Sequence, residues 1–267
     1  VRQNRLIFLP SASIEVTPEL FNLPYQEVWL PVPNGPGKVE RIHGWWIPAQ
    51  LPEIGVMLYL HGNGLNIGAN AEQAHRFHQL GFAVLLIDYR GYGRSEGSFP
   101  AEAKVYQDAQ VAWNYLTQER QIPPQRIFLY GHSLGGAIAI DLAAKHPEAA
   151  GLIVQSSFTS MQDVVNSRGH YWMFPVDLLL TQRFNSIAKV PSLQLPVLYI
   201  HGTADRQVPA QMSQALFAAT PEPKQLLFVP EAGHNNVAEV GGLHYFQAIR
   251  QFVEQAQRRQ PVAEGGL

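Results

Sequence analysis

Eight short apolar runs punctuate the chain, at residues 28–32, 39–47, 56–60, 83–89, 127–130, 152–154, 197–200 and 226–229. The middle ones are near-continuous in Val, Ile and Leu, the pattern of strands buried on both faces, as in a parallel sheet. Between them lie stretches with helical spacing at 71–80, 101–119, 135–145, 211–219 and 243–255. In the second of these, Val105, Ala109, Ala112 and Leu116 fall on one face. Strand and helix alternate from about residue 55 onward. The pattern predicts an α/β fold, a mostly parallel central sheet of about eight strands flanked by helices on both faces. The first two runs have no helix between them and are joined by the Pro/Gly-rich stretch 31–37, which predicts an antiparallel hairpin at one edge.

One connection is long: nothing strand-like appears from 158 to 195. Long connections in compact domains are usually functional or disordered, and the aromatic content here argues for order. The segment is expected to form a small helical cap inserted in a single domain spanning 1–267. Its Tyr171, Trp172 and Phe174 either line an apolar substrate pocket or fill the cap's own core, and spacing does not choose between the two. The tail 261–267 is expected to fray.

Composition narrows the function classes. The chain is 46% hydrophobic and 15% charged, with a net charge of -2 and no Lys/Arg run, so no field would draw in nucleic acid. It has no cysteine, which excludes disulfides, thiolate catalysis and Cys-ligated metal. No stretch approaches the roughly 18 apolar residues of a membrane span. The chain begins at Val1 without an initiator methionine, which is compatible with a trimmed leader or anchor. His75 and His78 stand at i and i+3 on a helix, but no third ligand is nearby, so solvated positions are expected and no metal or other cofactor is implied.

Two stretches fit Gly-x-Ser-x-Gly: GRSEG at 93–97 and GHSLG at 131–135. Context separates them. Ser133 follows an apolar strand and opens the helical stretch GAIAIDLAA, so a sharp strand-to-helix turn would lift its side chain out of the sheet. Gly131 and Gly135 remove Cβ atoms that would clash at such a turn, and the helix N-terminus supplies unpaired N–H groups for a developing oxyanion. Ser95 is followed by EGSFP, which is no helix start, and Glu96 beside it would oppose negative charge. GRSEG is therefore read as a loop, and Ser133 as the candidate nucleophile.

A serine nucleophile needs a base and an acid that orients it. His234 lies in EAGHNN just past the last apolar run, in a Gly-flanked loop at the C-terminal end of a strand, where α/β sites gather. Between Ser133 and His234 the candidate acids are Asp141, Asp163, Asp177 and Asp205. Asp141 is inside the helix after Ser133, and Asp163 and Asp177 fall in the cap. Asp205, in HGTADRQVP directly after a strand, shares a rim with Ser133 and His234. Oxyanion donors are expected from the backbone N–H of Leu134 and from the HGNGL loop, with Asn63 preferred and Gly64 or Leu65 as alternatives. His61 and His201 are expected to hydrogen-bond loops, Asp88 and Arg90 to pair locally, and Arg168, His170 and Arg183 to meet an anionic substrate or face water.

On these residues the chain resembles the α/β-hydrolase superfamily over most of its length: the GHSLGG elbow, HGNG, HGTADRQVP and EAGHNN are all present, with elbow, acid and histidine in the family's order. LIDYRGYGRSEG at 86–97 resembles the family's loop after the fourth strand, a second reason to set Ser95 aside. More narrowly, HGNG, DYRGYGRSEG and AGHNN resemble the branch that contains membrane-anchored serine hydrolases, including depalmitoylating thioesterases. Members often carry an N-terminal anchor, which implies a cytoplasmic or membrane-peripheral body. The branch often has HGNAGN where this chain has HGNGLN, so Leu65 departs from it.

The resulting expectation is a serine hydrolase that cleaves carboxylic ester or thioester bonds of a small-molecule or acyl substrate. The alternatives are a serine peptidase, which needs a site for a charged terminus or a shaped side-chain pocket, and a non-catalytic binding protein on a hydrolase scaffold. Labelling of Ser133 by a covalent probe separates the last from the other two.

Overall fold

The computed structural model describes residues 3–50, 53–167 and 180–259. Ten strands are found among them: β1 (Leu9–Pro10), β2 (Gln26–Pro33), β3 (Val39–Ile47), β4 (Gly55–Leu60), β5 (Gly64–Leu65), β6 (Phe82–Ile87), β7 (Ile127–His132), β8 (Gly151–Gln155), β9 (Val197–Gly202) and β10 (Lys224–Val229). The α-helices are α1 (Asn4–Ile7), α2 (Ala71–Gln79), α3 (Glu102–Asn114), α4 (Leu134–Lys145), α5 (Met161–Ser167), α6 (Ala210–Ala219) and α7 (Val237–Arg258). Eight strands form one sheet in the order β10-β9-β8-β7-β4-β6-β3-β2. Only β3 runs against its neighbours, pairing antiparallel with β2 and β6, so the expected hairpin is the sheet's antiparallel edge.

Period-two alternation divides the strand side chains between two cores. On β4, Val56, Leu58 and Leu60 join α3, α4 and α6 on one face, while Met57 and Tyr59 join α2 and α7 on the other. On β7, Ile127 and Leu129 take the first side, and Phe128 and Tyr130 the second. Burial on both faces explains why these strands carry unbroken apolar runs.

Two helix boundaries and one segment differ from the sequence pattern. The helix expected to run to 119 is α only to Asn114 and continues as a wider π turn over Tyr115–Glu119. The last helix starts at Val237, earlier than its apolar periodicity, and kinks at Gly242, where φ is 49°. The N-terminal segment is a strap that no periodicity announced. Its β1 pairs parallel with β5, Leu9 N–H donates to Asn63 O at 2.9 Å, and Asn63 Nδ2 donates to Ile7 O at 2.9 Å.

Among the described residues the long connection carries helix α5 and, at Val190–Ser192, a 3-10 turn. Residues 168–179, with Asp177 and the aromatic candidates Tyr171, Trp172 and Phe174, lie outside the described residues, as does the tail 261–267.

Candidate active site

Ser133 sits between the end of β7 and the start of α4, with φ 54° and ψ -119°. A non-glycine residue at positive φ is strained and has to be held by its surroundings. Here the hold is visible. Its N–H donates to Gln155 O at 2.9 Å, and its carbonyl accepts from Gly136 N–H at 2.9 Å and Ser157 Oγ at 2.8 Å. The turn is too tight for side chains on its flanks: a Cβ on Gly131 would lie 2.2 Å from Gly135 O, and one on Gly135 would lie 2.0 Å from Leu60 O. Leu134 is the first residue of α4, so its N–H belongs to the unpaired first turn of a helix.

Asp205 follows β9 and His234 follows β10, and the two turns are stitched together. Thr203 N–H donates to Val229 O and Ala204 N–H to Ala232 O, at 3.0 and 2.9 Å. His234 Nδ1 lies 2.6 Å from Asp205 Oδ2, with the carboxylate fully buried. A carboxylate accepts, so Nδ1 carries the proton and Nε2 is the ring nitrogen left for another partner. Ser133 and His234 line the same cavity of about 470 Å³. The other Asp candidates sit elsewhere: Asp141 is bound by Lys145 and Lys189, each at 2.6 Å, and Asp163 accepts from Thr159 and Ser160 hydroxyls.

Burial alone would raise the Asp205 carboxyl. Hydrogen bonds from His201, His234 and the Val208 N–H outweigh it and hold the group well below the usual carboxylate range. The histidine one strand position before Gly202 was expected only to hold a loop, but it does more. His201 Nε2 lies 3.1 Å from Asp205 Oδ2 and 2.9 Å from Val208 O, both acceptors, so it carries a proton, while Nδ1 lies 2.7 Å from Ser213 Oγ. A second imidazole therefore braces the same carboxylate oxygen that takes His234. His132 braces the other side of the base: Nε2 donates to His234 O at 3.0 Å. Burial first, and then the nearby His234, push His132 down to about 4, so it is neutral at pH 7. Neither role was drawn from the sequence, although the signal was present, since each is a histidine at the C-terminal end of a parallel strand.

The His61–Leu65 loop forms the opposite wall. Gly62 packs against the nucleophile turn, where an added Cβ would lie 3.5 Å from Ser133 Cβ. Asn63 and Gly64 line the cavity with Leu65. Leu65 itself adopts φ 62° and is largely exposed, which is where this loop departs from the HGNAGN pattern. The Asn63 carbonyl is taken by Leu9 N–H and by Tyr92 Oη at 2.8 Å.

Two expectations are corrected. Asp88 and Arg90 do not pair with each other: Asp88 Oδ1 accepts from Ile67 N–H at 2.9 Å and lies 3.2 Å from His61 Nε2, while Arg90 pairs with Asp108 at 2.6 Å. Both residues lie past the end of β6 at Ile87, where the chain bends into a turn closed by the Tyr92 N–H to Tyr89 O bond, so strand periodicity no longer places i and i+2 on one face. His78 is not solvated but buried at 4% exposure, because α2 turns that position inward beside Phe77. Among the described residues no group of three His, Asp or Glu side chains forms a metal-binding cluster.

A family model described as serine aminopeptidase, S33, matches residues 52–187. An uncharacterised protein of Mycobacterium tuberculosis strain H37Rv is 37% identical over 253 residues, covering 94% of this chain and 87% of that protein. Protein bem46 of Schizosaccharomyces pombe is 32% identical over 242 residues, covering 89% of this chain and 79% of that one. The crystal structure of the Pyrococcus furiosus esterase Pf2001 superposes with a TM-score of 0.76 at 20% identity, over 93% of this chain and 99% of that one. With its sheet order, its helices on both faces and these matches, the chain belongs to the α/β-hydrolase superfamily, in the family described as serine aminopeptidase, S33.

Proposed function

We propose that this protein is a serine hydrolase that cleaves carboxylic ester or thioester bonds through Ser133, His234 and Asp205. The observation that carries the reading is a convergence. A strained serine at a helix N-terminus and a histidine bound at 2.6 Å to a buried carboxylate open into one cavity. In the proposed reaction His234 Nε2 takes the hydroxyl proton as Ser133 Oγ attacks the carbonyl carbon. The N–H groups of Leu134 and Asn63 hold the oxyanion. Collapse of the tetrahedral intermediate expels the alcohol or thiol, which receives its proton from His234. Water, activated by the same imidazole, then cleaves the acyl-enzyme and restores Ser133. Asp205 keeps the proton on Nδ1 throughout and stabilises the imidazolium.

A second reading, peptide hydrolysis by the same residues, is favoured by the family description. The deciding experiment is hydrolysis of p-nitrophenyl esters of increasing acyl length, beside aminoacyl p-nitroanilides, with wild type and Ser133→Ala. Ester turnover that vanishes in the variant supports the proposal. Anilide turnover alone moves it to the peptidase reading. Absence of both, together with no fluorophosphonate labelling of Ser133, overturns it in favour of a binding protein.

A further inference from the structure

The cavity does not end at Ser133 and His234. It runs down the face of the sheet covered by α2 and α7, past Tyr59, Tyr130, Gln155 and Gln73. Gln155 is the last residue of β8, and its backbone carbonyl is the group that binds the Ser133 N–H. Its side chain is therefore fixed beside the proposed nucleophile by the sheet itself. The amide is oriented by a relay: Gln73 Nε2 donates to Tyr245 Oη at 2.9 Å, and Tyr245 Oη donates to Gln155 Oε1 at 2.8 Å. That uses the amide oxygen and leaves Gln155 Nε2 without an acceptor among the described residues, on a side chain that is 4% exposed and lines the cavity. The donor is not sealed off from the cavity that Gln155 lines, so a substrate acceptor entering there can take the place of water on Nε2.

The floor around Gln155 carries hydrogen-bonding groups but no charge. Burial raises the Tyr59, Tyr130 and Tyr245 phenols far from neutrality, and neighbouring tyrosines add to the effect on Tyr59 and Tyr130, so all stay protonated. At the mouth, Glu72 and Arg76 pair with each other on successive turns of α2. A charged group entering this arm would lose its water and meet no free opposite charge.

We propose that this arm is a subsite for an uncharged hydrogen-bonding group of the substrate, a hydroxyl or an amide, which accepts from Gln155 Nε2 beside Ser133. The proposal rests on the serine-hydrolase reading and adds the class of group that the site recognises. Binding there gives Gln155 Nε2 the acceptor that no described residue supplies, and an aliphatic group of the same size would leave it unpaired.

The test is a set of butyrate esters of ethanol, glycerol, glycolamide, choline and glycolate, with ethyl 3-hydroxybutyrate to place the hydroxyl on the acyl side. Each is assayed with wild type, Gln155→Leu and Tyr245→Phe, with fluorophosphonate labelling of Ser133 run alongside. The expected result is that at least one neutral polar ester exceeds its plain counterpart in kcat/KM by about tenfold, the scale of one hydrogen bond, and that the charged esters do not. Which ester gains tells hydroxyl from amide, and leaving group from acyl half. Gln155→Leu is expected to bring that ratio close to one, and Tyr245→Phe, which releases the amide from its orientation, to narrow it. Equal rates for polar and plain esters, a preference for a charged ester, or a parallel fall on every ester in both variants overturns the subsite. If Gln155→Leu does not fold, the wild-type ratio and Tyr245→Phe still decide. Labelling without a polar preference sinks this proposal alone, whereas no labelling in wild type sinks the hydrolase reading beneath it.

Discussion

Two five-residue segments of this chain share one sequence pattern and adopt opposite structures. In GHSLG the turn is forced by close contact of Gly135 with the Leu60 and His61 carbonyls, and Ser133 is pushed to positive φ at the head of a helix, beside an open cavity. In GRSEG the serine faces the backbone. Ser95 Oγ donates to Asp88 O and accepts from His43 N–H, both at 2.8 Å, so the hydroxyl fastens the loop to β3. Glu96 continues the job with hydrogen bonds to the Arg41 backbone and guanidinium. A pattern of glycines and a serine therefore specifies a tight bend, and the elements on either side decide whether the hydroxyl is used by the protein or left for a substrate.

Substitutions can break this contrast. Ser133→Ala is expected to lower kcat by about a million-fold, read by ester hydrolysis, because the remaining groups cannot replace the nucleophile. Asp205→Asn is expected to cost about ten-thousand-fold, since an amide no longer holds the His234 proton on Nδ1. The same variant tests stability. The native Asp205 carboxyl is depressed below its unfolded value of about 3.9, so its contribution is present above that pH and is lost as pH falls towards the folded value. The gap in unfolding free energy between wild type and Asp205→Asn should thus hold at pH 7 and close below about pH 4. Gly135→Ala is expected to destabilise by about 3 kcal/mol or more in denaturant unfolding, as its Cβ would meet backbone rather than a movable side chain. Ser95→Ala is expected to do least: a loss of about 1–2 kcal/mol, with kcat/KM unchanged. If Ser95→Ala instead removed activity while Ser133→Ala kept it, the contrast would be reversed.

How much could be read in advance depended on the range of the cause. Strands β4, β6, β7 and β9 were legible because burial on both faces writes itself into consecutive residues. The turn at Ser133 was legible because part of its steric demand, that of Gly131 against Gly135, falls within five residues. Asp205 and His234 could be chosen because both follow strand ends, and the sheet brings those ends to one rim. What stayed hidden came from contacts between distant segments. The strap of β1 against β5 has only two residues per strand, too short for any alternation to register. The bracing of Asp205 by His201 depends on the Val208 turn folding back, and the relay from Gln73 through Tyr245 to Gln155 joins three elements far apart in the chain. Gln155 did leave one trace, as a polar residue closing the apolar run 152–154. Its environment, rather than its position, is what gives it meaning.

The strap has a mechanical consequence. The His61–Leu65 loop is fastened from outside the sheet by residues 7–11, through Ile7 O, Leu9 N–H and the Ser11 N–H bond to Leu65 O. Force applied to residues 7–11 is therefore transmitted through these bonds to the cavity wall formed by the 61–65 loop. Residues 7–11 thus act as a clasp on that wall, so a load that reaches them is borne first by three hydrogen bonds to the cavity loop.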